Sequence, residues 1–90
     1  MNKLLSICIP SYNMESFLSR CVDSLLIPSL DRLEILIVND GSKDRTLELA
    51  KGYEAAHPGS VVVIDKPNGH YGSAVNAALQ VAKGKYFRIL

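Results

Sequence analysis

The sequence has 90 residues, 48% of them hydrophobic and 21% charged, which is the composition of one small globular domain. Its net charge of +1 makes no electrostatic case for nucleic acid or an anionic membrane as a partner. No apolar run approaches the roughly 18 residues that a membrane-spanning helix needs. Cys8 and Cys21 lack metal-ligand or redox spacing and are expected to be buried free thiols in a reducing compartment.

The first part of the chain alternates short apolar runs with helical spacing. Leu4–Ile9 is an apolar run that ends at Pro10, which predicts a buried strand. Apolar residues within Met14–Leu26 recur every three or four positions, which predicts a helix capped by Asn13. Leu33–Val38 is a β-branched run before a turn, which predicts the second strand.

The rest of the chain continues this alternation. A second helix is predicted after the turn, with Ser42 or Asp44 as its cap. A third strand, a third helix and a fourth strand follow it. The predicted bounds of these four elements are Arg45–Ala56, Val61–Ile64, Tyr71–Ala82 and Tyr86–Leu90.

Four strands separated by three helices predict a three-layer α/β/α fold with a parallel, Rossmann-like sheet, expected in the order 3-2-1-4. Continuous apolar strands are typical of a sheet that helices cover on both faces. The fourth strand runs to the last residue without a cap or polar tail. Residues 1–90 are therefore expected to be a single domain that is part of a longer protein, with an exposed edge that allows self-association.

Ligands of open parallel sheets bind beyond the carboxyl ends of the strands, where three loops of this chain are expected to meet. Tyr12 follows the first strand and could stack on a base or sugar, or simply pack against the sheet. Asp40 ends the second strand and could accept hydrogen bonds from a base N–H or a ribose hydroxyl, or serve only the turn. Glu15 lies in a first helical turn, where an acid is favoured in any case.

The third loop has two glycines, Gly69 and Gly72, at the start of a helix. Free backbone N–H groups there would suit a phosphate or diphosphate. His70 could add a donor or a positive charge, although a lone histidine is more often an ordinary surface residue.

No complete catalytic motif accompanies these loops. The sequence has no Ser-His-Asp candidate, no H-E-x-x-H motif and no P-loop. The first strand is followed by Pro-Ser-Tyr-Asn rather than G-x-G-x-x-G, which argues against dinucleotide binding.

Three segments in register resemble the inverting glycosyltransferases of family 2, which have the GT-A fold. Their order and spacing match the pattern of that family across nearly the whole chain. The segments are Ser6–Asn13 with Glu15, Glu34–Ser42 with Asp44 and Thr46, and Asn68–Asn76 with Ala82–Tyr86. The sequence departs from the pattern at Asn39, where the family usually has an acid, and at His70, where it often has a glycine.

The resemblance implies a nucleoside diphosphate sugar donor of the UDP type and a role in cell-surface polysaccharide synthesis. In the family, an Asp-x-Asp-type motif for Mg²⁺ or Mn²⁺, a catalytic base and the acceptor site follow the fourth strand. Residues 1–90 are therefore expected to bind the donor, without a metal ion and without catalytic residues of their own. The implied donor-binding residues are Pro10, Ser11, Tyr12, Glu15, Asp40, Gly69, His70 and Gly72. The donor and the thiols favour the cytoplasm, with any membrane association through other parts of the protein.

Two other functions remain open from the residues themselves. A nucleotidyltransferase or dehydrogenase would have a related sheet, although the first loop lacks the expected glycines. A non-enzymatic module could use the exposed fourth strand for assembly.

Overall fold

A computed structural model describes residues 3–26, 32–69 and 71–90. Strands and helices alternate along the chain, as predicted. In chain order they are β1 (Leu5–Ser11), α1 (Leu18–Asp23), β2 (Leu33–Asp40), α2 (Thr46–Ala56), β3 (Val61–Lys66), α3 (Tyr71–Val81) and β4 (Tyr86–Ile89). Within the described ranges, no helix is long and apolar enough to cross a lipid bilayer.

The strands form one parallel sheet in the order β3-β2-β1-β4, which confirms the predicted order. Leu5 at the start of β1 pairs with Leu33 of β2 on one side and with Tyr86 of β4 on the other. Because all strands run the same way, their carboxyl ends lie at one end of the sheet and their amino ends at the other.

Strand β2 is buried at every residue because helices cover both faces of the sheet. Successive side chains of a strand point to opposite faces, so one apolar run fills two cores. The core shared with α1 and α2 contains Ile7, Ile9, Leu18, Val22, Ile35, Ile37, Ala50 and Val61. The core shared with α3 contains Cys8, Leu36, Val38, Ala74 and Ala78. Burial of a large aliphatic side chain contributes about 1.5–3 kcal/mol, which makes β2 the main support of the three layers.

Helix α1 is shorter than predicted, and the predicted cap is wrong. The helix begins at Leu18 rather than at Met14, and Asn13 has a left-handed φ of 51°. The Asn13 side chain accepts a hydrogen bond from Lys43 N–H in the next loop at 2.8 Å, so it does not cap α1. The helix ends at Asp23. A turn follows it to Leu26, with hydrogen bonds from Leu25 N–H to the Val22 carbonyl and from Leu26 N–H to the Asp23 carbonyl.

Three strands extend beyond their predicted ends. β1 continues through Pro10 to Ser11. Proline has no N–H to donate to a neighbouring strand, but β4 pairs with β1 only as far as Cys8, so no hydrogen bond is lost on that side at Pro10. β2 and β3 each continue by two residues, to Asp40 and Lys66, and these two residues are paired in the sheet. The added residues carry polar side chains to the carboxyl end of the sheet.

Both cysteines are free thiols, as predicted; Cys8 is buried and Cys21 is half-buried. Burial raises the pKa of the Cys8 thiol to about 11. The thiol therefore stays protonated at neutral pH and acts as a small apolar side chain in the core.

Beyond α3 the chain returns to the sheet through a close contact at Gly84. Gly84 N–H donates to Ser6 Oγ at 2.7 Å, and Ser6 Oγ donates to the buried carboxylate of Glu34 at 2.8 Å. Lys83 N–H donates to the same Glu34 oxygen at 2.7 Å. A Cβ atom at position 84 would lie 2.4 Å from the Ser6 backbone nitrogen, so only glycine fits between α3 and β4.

We expect Gly84→Ala to destabilise the chain by about 1–3 kcal/mol, because the methyl group displaces a backbone strand rather than a flexible side chain. Thermal unfolding followed by circular dichroism should then show a lower midpoint, by roughly 4–8 °C for each kcal/mol. Gly52→Ala is the matched control, because Gly52 lies in α2 with nothing within 4 Å of the added methyl. In a helix this substitution should raise stability by about 0.5–1 kcal/mol. Equal midpoints for the two variants would contradict the crowding argument.

Candidate functional site

A cleft of about 560 Å³ opens at the carboxyl end of the sheet, where the loops after β1, β2 and β3 meet. Its lining residues are Pro10, Ser11, Tyr12, Met14, Asp40, Asn68, Gly69 and Ala74. Five of the eight residues predicted for a donor site therefore lie together, and Met14, Asn68 and Ala74 are additions that the sequence analysis did not select.

Asp40 is the main charged group of the cleft and is only 7% exposed. Its Oδ1 accepts hydrogen bonds from Lys66 Nζ at 2.8 Å and from Gly69 N–H at 2.9 Å. The Asp40 main-chain oxygen accepts a third bond, from Asn68 Nδ2 at 2.9 Å. A buried carboxylate needs such partners, and here they hold the third loop against the end of β2.

Sequence reasoning missed Lys66 because the third strand was predicted to end two residues earlier. Lys66 is the register partner of Asp40, so its side chain lies beside that carboxylate on the same face of the sheet. If the third strand is extended through Asp65 and Lys66 and is aligned with the end of the second strand, Lys66 is predicted to lie beside Asp40.

Gly41 follows Asp40 and allows the second and third loops to touch. Its φ is +68°, in the left-handed region that side chains disfavour. A Cβ atom there would lie 2.5 Å from the Asn68 backbone nitrogen. Both the conformation and the space therefore require glycine at this position.

The first and second loops are joined by hydrogen bonds in both directions. Asn13 N–H donates to Ser42 Oγ at 3.0 Å, and Met14 N–H donates to Thr46 Oγ1 at 2.7 Å. Ser42 therefore binds the first loop and is not the cap of α2. These bonds fix the backbone at Asn13 and Met14, directly after Tyr12, so the first loop has a defined path beside the cleft.

Asp44 and Glu15 extend this connection outside the cleft. Asp44 Oδ1 accepts bonds from Thr46 N–H and Thr46 Oγ1 at the start of α2, although the N-cap of the helix is Arg45. Asp44 Oδ2 accepts from Glu15 N–H at 3.1 Å. The hydrogen bond from the Thr46 hydroxyl is the largest cause of a lowered pKa at Asp44. Glu15 Oε1 accepts from Arg45 N–H at 3.3 Å, and Glu15 does not line the cleft.

Tyr12 and Ser11 present different groups at the end of β1. The Tyr12 side chain is 48% exposed at the edge of the cleft, where a flat ligand could stack on its ring. Ser11 is buried, and its hydroxyl donates to the Ile9 carbonyl at 3.0 Å. Ser11 therefore shapes the wall of the cleft.

The glycine-rich segment is divided between the cleft and the helix. Gly69 lines the cleft and bonds to Asp40, whereas Gly72 lies half-buried in the first turn of α3 and does not line the cleft. His70 lies outside the described residues.

Asn39 points to the opposite face of the sheet from Asp40. The family that the sequence resembles usually has an acid at this position. Asn39 is 3% exposed, and its Nδ2 donates to Asp65 Oδ1 at 2.9 Å. Its Oδ1 is buried without a hydrogen-bond partner among the described residues. An aspartate at position 39 would place two carboxylates against each other, so asparagine suits the neighbouring Asp65.

The described residues do not fit a metal centre. Across residues 3–26, 32–69 and 71–90, no three His, Cys, Asp or Glu side chains come together as metal ligands. The lining of the cleft offers hydrogen bonding to Asp40 and to backbone groups, and stacking on Tyr12.

Solved structures share this architecture. S. aureus TarS, in complex with UDP-GlcNAc, has a TM-score of 0.82 at 27% identity over 97% of this chain and 26% of its own. The mannosyltransferase PcManGT from Pyrobaculum calidifontis, solved with GDP-Man and Mn²⁺, has a TM-score of 0.69 at 22% identity. That match covers 91% of this chain and 25% of PcManGT, and its low identity supports the fold alone.

Sequence relatives agree with the structural neighbours. The glycosyltransferase EpsJ of Bacillus subtilis is 43% identical over 96% of this chain and 25% of its own length. The chondroitin synthase of Pasteurella multocida is 47% identical over 92% of this chain and 8% of its own. The chain thus spans a quarter or less of these two relatives. A family model, glycosyl transferase family 2, matches residues 6–90. The GT-A architecture, the cleft at the carboxyl end of the sheet and this match lead to one conclusion: the chain belongs to glycosyl transferase family 2.

Proposed function

We propose that the protein transfers a sugar from a nucleoside diphosphate donor, and that these 90 residues bind the nucleotide of that donor. The observation that carries the proposal is the cleft itself, with the fixed Asp40 carboxylate and the exposed ring of Tyr12 on its lining. Its volume of about 560 Å³ suits a small-molecule ligand. TarS, which matches 97% of this chain, has been solved with UDP-GlcNAc, and this supports a UDP-type donor.

We propose a separate role in donor binding for each of the predicted residues that line the cleft. Tyr12 stacks on the base, and Asp40 accepts a hydrogen bond from a base N–H or a ribose hydroxyl, because a carboxylate has several acceptor positions. Gly69 permits close approach of the donor. Three further predicted residues shape or extend the site: Pro10, Ser11 and Gly72.

Glu15 has a different proposed role from the one the resemblance implied. It lies outside the cleft and accepts a hydrogen bond from the Arg45 backbone. We place it as a residue that holds the first two loops together. His70 remains a candidate near the diphosphate on the resemblance alone.

Membership in the family supports the finer part of the proposal. The names of the two Pasteurella multocida relatives, chondroitin synthase and hyaluronan synthase, support a glycan acceptor in cell-surface polysaccharide synthesis; a lipid-linked acceptor is the alternative. We further propose that the sugar is transferred with inversion. Other residues of the whole protein would bind a Mg²⁺ or Mn²⁺ ion. The free thiols of Cys8 and Cys21 support a cytoplasmic reaction. Membership in the family disfavours a dehydrogenase.

Asp40→Asn should weaken UDP binding about 10- to 100-fold, because a hydrogen bond to a charged group contributes about 1.5–3 kcal/mol. Isothermal titration calorimetry with UDP measures this loss. Asp23→Asn is the control, because its amide oxygen can still accept the hydrogen bond from Tyr53 Oη. Since Asp40→Asn also removes the ion pair between Lys66 and Asp40, Tyr12→Ala tests the site separately. Tyr12→Ala should weaken binding about fivefold or more, and Tyr12→Phe should not. UDP affinities within about twofold of the parent for both Asp40→Asn and Tyr12→Ala would refute the proposed site.

The 90-residue chain should bind UDP but transfer no sugar, because the proposal assigns the metal ligands and the base to other parts of the protein. The measurement is release of UDP from UDP-sugars, with Mg²⁺ or Mn²⁺ and candidate acceptors present. A protein-free reaction is the blank. Release above that blank, abolished by Asp40→Asn, would show that the assignment of catalysis to other residues is wrong.

We also propose that the chain self-associates through β4, an edge strand that pairs only with β1 in the described sheet. Ile89 on this strand is 38% exposed, and unpaired edges favour strand addition. Ile89→Lys should therefore reduce the mass measured by light scattering at high concentration. Val81→Lys adds the same charge at an exposed helix position and should not. A monomeric parent chain at every concentration would exclude this association.

A further inference from the structure

Four basic side chains surround a depression at the amino end of the sheet, opposite the donor cleft. Lys3, Arg32, Lys83 and Lys85 line it together with Leu4, and its volume is about 380 Å³. We refer to these four basic residues as the basic rim. No acidic side chain lines the depression within the part of the chain that the structure describes.

Backbone pairing at the amino ends of the strands brings the basic rim together. Leu4 N–H donates to the Arg32 carbonyl at 2.8 Å, just before β1 and β2. Lys85 N–H donates to the Lys3 carbonyl at 3.1 Å, just before β4. Arg32 and Lys85 immediately precede β2 and β4, and Lys3 lies two residues before β1. Because these strands are parallel neighbours, the three basic side chains lie on one surface.

The charge summed over the whole chain conceals this local excess. Ten basic and nine acidic residues give a net charge of +1, yet four of the ten basic residues lie in the rim. The nearby Glu34 carboxylate is 3% exposed and accepts hydrogen bonds from Ser6 Oγ and Lys83 N–H. Among the described side chains that line the depression, every charged one is basic.

Exposed apolar groups accompany these charges. Leu4 lines the depression and is 41% exposed, and Tyr86 beside it is 58% exposed. The Lys85 ammonium lies 5.7 Å from the centre of the Tyr86 ring. A tyrosine with basic and aliphatic neighbours is the combination that favours the interface of a lipid bilayer, where the ring enters the headgroup layer and the charges meet phosphates.

We propose that the basic rim binds the phosphate headgroups of an anionic lipid bilayer. The rim would then face the membrane, while the donor cleft at the opposite end of the sheet stays open to water. A soluble anionic glycan would satisfy the charges as well, but it would leave Leu4 and Tyr86 exposed to water. The apolar groups therefore favour lipid.

The test is sedimentation of the chain with sucrose-loaded vesicles of phosphatidylcholine containing roughly one-third phosphatidylserine, at about 0.1 M salt. Lys83→Gln with Lys85→Gln should weaken binding on the order of 25-fold, because each basic residue near an anionic surface contributes about fivefold. Arg20→Gln with Lys51→Gln is the matched control, since it removes the same charge from exposed positions on α1 and α2. The control pair should lose less than about threefold.

Further arms distinguish the lipid from other anions. Binding should fall steeply at about 0.5 M salt and should be absent with phosphatidylcholine alone. Tyr86→Ala should weaken vesicle binding but leave retention on an immobilised anionic polysaccharide unchanged. Equal losses in the two double variants, or binding to the polysaccharide or to inorganic pyrophosphate without binding to vesicles, would overturn the proposal. UDP binding should be the same in both double variants, so the outcome here is separate from that of the donor site.

Discussion

Two carboxylates on the same face of β2 fix the position of α3. Asp40, at the carboxyl end of the strand, accepts a hydrogen bond from Gly69 N–H just before the helix. Glu34, near the amino end, accepts one from Lys83 N–H just after it. An 11-residue helix is about 16 Å long and the strand segment between the two acids is about 20 Å long, so the helix together with its flanking residues spans the distance between the acids. Because buried carboxylates must be hydrogen-bonded, this constraint sets the helix and both adjoining loops.

The cleft depends on this constraint and on the bonds between the first two loops. The third loop is held by Asp40, and the first by Ser42 and Thr46, which accept hydrogen bonds from its backbone. Each polar group that shapes the cleft is thus anchored to a buried strand or to the start of a helix. Such anchoring gives a binding site a defined shape before any ligand arrives, which lowers the entropic cost of binding.

The sequence predicted the fold well because the fold depends on local apolar runs and on the handedness of crossovers. The four strands, the three helices and the order of the sheet follow from those signals. The site was predicted only in part. Lys66 and the role of Ser42 depend on register and on contacts between distant loops, which spacing along the chain does not encode. Asn13 fits the pattern of a cap, but tertiary hydrogen bonds overrode that local preference.

The clustering of basic residues could not be predicted from composition for a related reason. Lys3, Arg32 and Lys83 are far apart in the sequence, and only parallel pairing places them on one surface. A net charge near zero describes the sum and not the distribution. The end of the sheet at which each residue lies is the information that the structure adds.

The order β3-β2-β1-β4 also has a consequence for how the chain folds. Strand β1 is synthesised before the other three strands and occupies a central position, and its Leu5 pairs with Tyr86, which lies far later in the sequence. Pairings between residues so distant in sequence form slowly, because a long loop must close before any contact compensates for it. One edge of β1 therefore stays open until β4 arrives, and a nascent chain would be most exposed to wrong strand partners during that interval.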